Sequence, residues 1–152
     1  MRLFLASVLA LAFAAAGHPV TAQERATTKE AELLVKKAID YYHKNGRDKA
    51  LAAFSDPKGP FVYQDLYIAA YDLTGKCVAH GQKQDRIGKN LLADKDPDGK
   101  AFVAERIQVA KEKGSGWQEY KFMNPTTKGV EQKVAYFERV DDVVIACGAY
   151  RK

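Results

Sequence analysis

The chain has 152 residues and two cysteines, with 24 Lys and Arg against 19 Asp and Glu for a net charge of +5. That length suits one domain around one core. The lysines are scattered rather than clustered, which argues against a nucleic-acid-binding face. The absence of C-x-x-C and H-x-x-x-H spacings argues against a metal centre.

The N-terminus bears on the compartment. Residues 1–22, MRLFLASVLALAFAAAGHPVTA, have one charged side chain at Arg2, an uncharged apolar run from Leu3 to Gly17, and small residues at Val20-Thr21-Ala22. This is the layout of a cleavable signal peptide, and the run is short for the roughly 20 residues that span a bilayer as a helix. The expected division is a signal peptide over residues 1–22 and a periplasmic domain over residues 23–152, with no membrane span after cleavage. In an oxidising compartment Cys77 and Cys147 suggest one disulfide. Two buried free thiols are the alternative.

TTKEAELLVKKAIDYYHKNG has a helical period through Leu33, Leu34, Lys37, Ala38 and Tyr41, with Thr27 or Thr28 as cap and Gly46 as stop. RDKALAAFSD predicts a shorter helix that ends before Pro57-Lys58-Gly59-Pro60. VYQDLYIAAYDL, rich in aromatic and β-branched residues, predicts a strand. Asp72 to Gly75 turn the chain, and KCVAHG returns as a hairpin partner. A long polar connection follows, anchored by Ile87 and Leu91-Leu92. AFVAERIQVAKEKG predicts an amphipathic helix through Phe102, Ile107 and Ala110, stopped at Gly114. GWQEYKFM, VEQKVAYFERV and DVVIACGAYRK are three further strands. The order predicts an α+β domain with a mostly antiparallel five-stranded sheet, and the long connection is a candidate binding lid.

YDLTGKCVAHG, IGKNLLADKDPDGKAFV, AKEKGSGWQEYKFMNPTTKGVEQKVAYFERVDD and VVIACGAYRK run nearly continuously from Phe61 to Lys152. In order and spacing they resemble the single Cache sensor domains of bacterial chemoreceptors and sensor kinases, in particular their second subgroup. The resemblance implies a PAS-like five-stranded antiparallel sheet with a long N-terminal helix and a loop-helix connection. It also implies a small-ligand pocket between sheet and connection, and small carboxylates as ligands. Many members sit between two membrane helices and drive a cytoplasmic output. This sequence ends on its last strand at Lys152, so the expectation is a standalone module that signals, if at all, through a membrane receptor or sensor protein.

Strand alternation constrains the candidate residues. Cys77 and His80 point to opposite faces unless a bulge intervenes, which disfavours a shared metal or a nucleophile–base pair. In a PAS-like order the first strand lies between Cys77 and Cys147. Strands two apart are separated by about 9.6 Å, beyond the roughly 7 Å that a disulfide tolerates between Cα atoms, unless a bend or bulge brings them closer. His80 ends a strand at the start of the long connection, and its "AH" step matches the family. It is either a pocket residue or a structural histidine. Lys133, in the middle of an apolar-aromatic strand, is costly to bury without a partner. It either meets a ligand carboxylate or faces water. Tyr136 shares its strand on the opposite face, and Trp117 and Tyr120 have the same conflict, so both pairs reach one ligand only through a bulge. Tyr71, Trp117 and Tyr120 are further candidate walls.

The expected function is a non-enzymatic module without cofactor or metal that binds a small organic acid through Tyr71, His80, Trp117, Tyr120, Lys133 and Tyr136. The alternatives are a periplasmic interaction protein with a vestigial pocket, docking on a receptor or envelope complex, and an enzyme using Cys77 or His80.

Overall fold

A computed structural model describes residues 25–151. The expected signal peptide over residues 1–22 lies outside the described residues. Helix α1 spans Thr28–Asn45 and starts in a capping box, with the Glu30 amide donating to the Thr27 hydroxyl and the Thr27 amide donating to the Glu30 carboxylate. Gly46, at φ +81°, ends it and leads directly into α2, Arg47–Phe54.

The strand expected over residues 62–73 is broken. Gln64 takes a positive φ of 53°, and a two-residue hairpin forms from β1 (Val62–Tyr63) and β2 (Leu66–Tyr67). The chain then enters the main sheet as β3, Ala69–Asp72, and returns as β4, Cys77–His80. After the long connection come α3 (Phe102–Lys113), β5 (Ser115–Met123), β6 (Val130–Val140) and β7 (Val143–Tyr150). The five-stranded sheet has the order β4-β3-β7-β6-β5, antiparallel throughout. Of the apolar anchors expected in the connection, Leu91 is buried, whereas Ile87 and Leu92 are exposed.

The sheet separates two apolar layers. On one face Val143, Ile145, Cys147 and Ala149 of β7 pack with Ala31, Leu34, Val35 and Ala38 of α1. On the other, Val144 and Ala146 pack with Phe102, Val103, Ile107 and Ala110 of α3. The period-2 alternation of β6 and β7 therefore decides which side chains reach the space beneath α3.

Candidate functional site

Beneath α3 lies a small, largely buried chamber of about 10 Å³, roughly the space of one water molecule. Ala69, Ala135, Ala146 and Gly148 form its floor on the sheet, and Phe102 and Arg106 descend from α3. Tyr67, Tyr71 and His80 line it from β2, β3 and β4, and Tyr120, Phe122 and Lys133 from β5 and β6. Small residues on the floor leave the volume that larger side chains would fill. Gly148 is the sharpest case: a Cβ there would stand 2.7 Å from Lys133 Cε and 2.9 Å from both Lys133 Cγ and Ala135 Cβ. The lysine stem lies flat over this glycine.

Two cations share the chamber. Lys133 is 2 % exposed and Arg106 is 1 % exposed, and among the described residues neither makes an ion pair with a carboxylate. The Lys133 ammonium donates to the Tyr150 hydroxyl at 3.2 Å and lies 4.0 Å from the Tyr67 ring centroid and 4.5 Å from that of Tyr150. Arg106 donates from one terminal nitrogen to Gln118 Oε1 at 3.1 Å, and its Nε has no hydrogen-bond partner. Its guanidinium sits 5.2 Å from the Tyr120 ring centroid and 5.5 Å from that of Tyr71. Gln118 is itself oriented by donating to the Phe102 carbonyl at 3.0 Å. Burial alone would raise the Tyr120 hydroxyl, but Lys133 and Arg106 beside it turn its net shift downward.

His80 lines the chamber and is also tied to the backbone, which defines its tautomer. Its Nδ1 accepts from the backbone amides of Gln82 at 3.2 Å and Lys83 at 3.0 Å, so the ring proton is assigned to Nε2. Burial first, and then the charges of Lys133, Arg86, Lys83 and Arg106, push the imidazole down to about 3. Its ring stacks on Tyr67 with centroids 5.0 Å apart.

Alternation fails on β4. Tyr71 pairs with Cys77 and Ala70 with Ala79, a register shift that leaves Val78 as the extra residue. Cys77 therefore joins the layer of α3 while Ala79 joins that of α1, and Cys77 lies on the same side as His80. This corrects the expectation of opposite faces. No thiol–imidazole pair results, because the Cys77 thiol donates to the Ala79 carbonyl at 3.5 Å. Of the two alternatives left open for the cysteines, one disulfide or two buried free thiols, the structure has the free thiols. Cys77 and Cys147 are free and buried, on strands separated by β3 and in different layers. Burial pushes their thiols up to about 11 and about 12. No cluster of three His, Cys, Asp or Glu able to hold a metal ion occurs among the described residues.

Of the expected ligand set, Tyr71, His80, Tyr120 and Lys133 meet in the chamber, and Trp117 and Tyr136 do not. β5 and β6 pair without a bulge, so Trp117 opposite Tyr136 faces the α1 side, where their rings pack 5.1 Å apart. The Tyr136 hydroxyl donates to Glu138 at 2.8 Å beside Lys36 of α1, and Trp117 is half exposed. Sequence reasoning missed Tyr67, Phe102, Arg106, Phe122 and Tyr150. Arg106 had a signal, since it falls four residues after Phe102 and next to Ile107 inside the apolar stripe of α3.

The family model described as Single Cache domain 2 matches residues 14–152. A methyl-accepting chemotaxis protein from Vibrio parahaemolyticus has a solved structure 26% identical to this chain, with a TM-score of 0.69, covering 80% of this chain and 86% of that one. A Cache chemosensory domain described for carboxylic acid recognition shares the fold at 20% identity and a TM-score of 0.63, covering 82% of this chain and 88% of that one. The sensor histidine kinase MctS of Rhizobium johnstonii is 34% identical over 89 residues, which are 57% of this chain and 19% of the kinase. The matched region is thus about a fifth of that kinase.

Proposed function

This protein belongs to the single Cache domain 2 family, and on that premise we propose that it is a non-enzymatic sensor module that captures a short organic acid in the chamber beneath α3. The observation that carries this reading is the pair of buried cations, Lys133 and Arg106, on one chamber with no carboxylate of the described residues paired to either. A buried charge without a counterion is costly, and an anion entering the chamber supplies it. Arg106 has donors to spare, Tyr71 and Tyr120 offer hydroxyls beside it, and His80 offers Nε2–H. A Cache domain of the same fold is described for carboxylic acid recognition, which supports the ligand class. The raised thiols and the engaged His80 Nδ1 support a binding role over thiol or imidazole catalysis.

Capture requires side chains to move, because the chamber has space for about one water. That small volume favours a second reading, an interaction protein with a vestigial pocket that docks on a receptor or envelope complex. Calorimetric titration with acetate, propionate, lactate and pyruvate decides between them. Binding of one of these acids supports capture, and binding of none moves the docking protein ahead.

Cache domains are extracytoplasmic sensor domains, and no helix of the described residues is long and apolar enough to cross a membrane. Export to the periplasm with removal of residues 1–22, and signalling through a membrane receptor or sensor protein, belong to the same proposal. An intact mass beginning at Gln23 in osmotic-shock fluid tests the export; a mass beginning at Met1 in the membrane fraction contradicts it.

A further inference from the structure

A second hollow abuts the chamber. It measures about 250 Å³ and is lined by Gln82, Lys83, Met123, Pro125 and Lys128, with Tyr67 as its inner wall. Tyr67 also lines the chamber. Two larger surface grooves, one beside Leu33 and Tyr63 and one beside Trp117 and Arg151, share no lining residue with the chamber.

We propose that organic anions reach the chamber through the Lys83–Lys128 hollow, and that Tyr67 is the gate between the two. The proposal rests on the capture reading above. It stands on how differently Tyr67 and its neighbour Tyr150 are held. The Tyr150 hydroxyl is pinned by donating to the Met123 carbonyl at 2.7 Å. The Tyr67 hydroxyl meets the Tyr150 hydroxyl at 3.3 Å, long against the usual 2.7–2.8 Å, and its other polar neighbour is the Lys133 ammonium. Tyr67 also sits outside the main sheet, on the two-residue strand β2 after the Gln64–Asp65 turn. What keeps its ring in place is the stack on His80 and the Lys133 ammonium over its face. An anion that claims the ammonium weakens this hold, so the ligand competes with the gate for the same charge.

Charge leads to the gate. Lys83 and Lys128 line the hollow, and among the described residues no Asp or Glu does. The Phe122 ring then carries cations from rim to chamber, with Arg86 at 5.5 Å from its centroid and Lys83 and Lys133 each at 5.7 Å. A positively lined cleft raises the local concentration of anions and their entry rate.

The test reads access without needing a ligand. A chamber thiol, Ala146→Cys in a Cys77→Ala/Cys147→Ala background, is modified with anionic sulfonatoethyl or cationic trimethylammonioethyl methanethiosulfonate. Ala135→Cys serves if the first variant does not fold. Tyr67→Ala should accelerate both reagents by roughly tenfold or more. Lys83→Glu with Lys128→Glu should lower the anionic-to-cationic rate ratio by roughly tenfold, whereas Lys111→Glu, on the exposed face of α3, should not. A thiol in the other layer, Ala38→Cys under α1, reports global opening and should not accelerate with Tyr67→Ala. An unchanged chamber rate in Tyr67→Ala, equal acceleration at both thiols, or an unchanged ratio on charge reversal overturns the proposal. The calorimetric titrations fail separately, so loss of the capture reading is distinguishable from loss of the gate.

Discussion

Lys133 and Tyr150 are register partners across β6 and β7, and the lysine ammonium donates to the tyrosine hydroxyl at 3.2 Å. The hydroxyl in turn donates a hydrogen bond to the Met123 carbonyl. A neutral chain of two bonds therefore holds a full positive charge, with no carboxylate in the arrangement.

That arrangement predicts an uncoupling of affinity from stability. Lys133→Met keeps the stem over Gly148 and removes the charge. Removing a buried, unpaired charge relieves desolvation, so thermal unfolding should show stability unchanged or increased, by up to about 4 kcal/mol. A hydrogen bond to a charged group contributes roughly 1.5–3 kcal/mol, so an organic acid should bind about one to two decades more weakly by calorimetry. Equal binding by wild type and variant removes Lys133 from the ligand set.

Gly148→Ala tests the floor. The added Cβ meets the Lys133 stem and Ala135 at under 3 Å, so the lysine must shift. We expect destabilisation of about 1–3 kcal/mol by overpacking, together with weaker acid binding. Full affinity in this variant means that the lysine position is not set by the glycine.

His80 sets the pH behaviour. With its pKa at about 3 it is neutral at every pH from about 5 to 8, so as a neutral donor it contributes no pH dependence to acid binding across that range. Were His80 instead to bind as the imidazolium, affinity would fall as pH rises through its pKa. Stability responds in the opposite sense. The folded pKa is depressed below the ordinary 6.5, so the unfolded chain takes up the proton first. The contribution is present above about 6.5 and is lost as pH falls towards about 3, a total on the order of a few kcal/mol. Denaturant titrations over pH 4 to 7 should show this slope in wild type and a shallower one in His80→Gln. Parallel slopes would reject it.

The cysteines predict a chemical count. Denatured, unreduced protein should titrate two thiols, since Cys77 and Cys147 are unbridged. In the native protein both should react slowly, because burial pushes them up to about 11 and about 12. A count of zero would mean that the oxidised protein moves β4 against β7.

Much of this was legible in the sequence. Periodicity and stop residues locate α1, α2, α3 and the three long strands, because backbone propensity and apolar spacing are local properties. Alternation also states the conflict within each of the pairs Lys133/Tyr136 and Trp117/Tyr120, and the straight ladder of β5 and β6 resolves it in favour of Lys133 and Tyr120. Only the tertiary structure decides the rest. The bulge at Val78, which carries Cys77 to the same side as His80, depends on pairing with β3. The break at Gln64, which takes Tyr67 out of the sheet, depends on a local hairpin against Val62. Arg106 is charged and sits in an amphipathic helix, so its burial follows from which face α3 turns to the sheet. The sequence by itself determined the three helices and the side-chain alternation of the straight strands β5, β6 and β7. That Lys133 and Arg106 line one chamber required the fold, because α3 packs onto the sheet, and no periodicity along the chain encodes that packing.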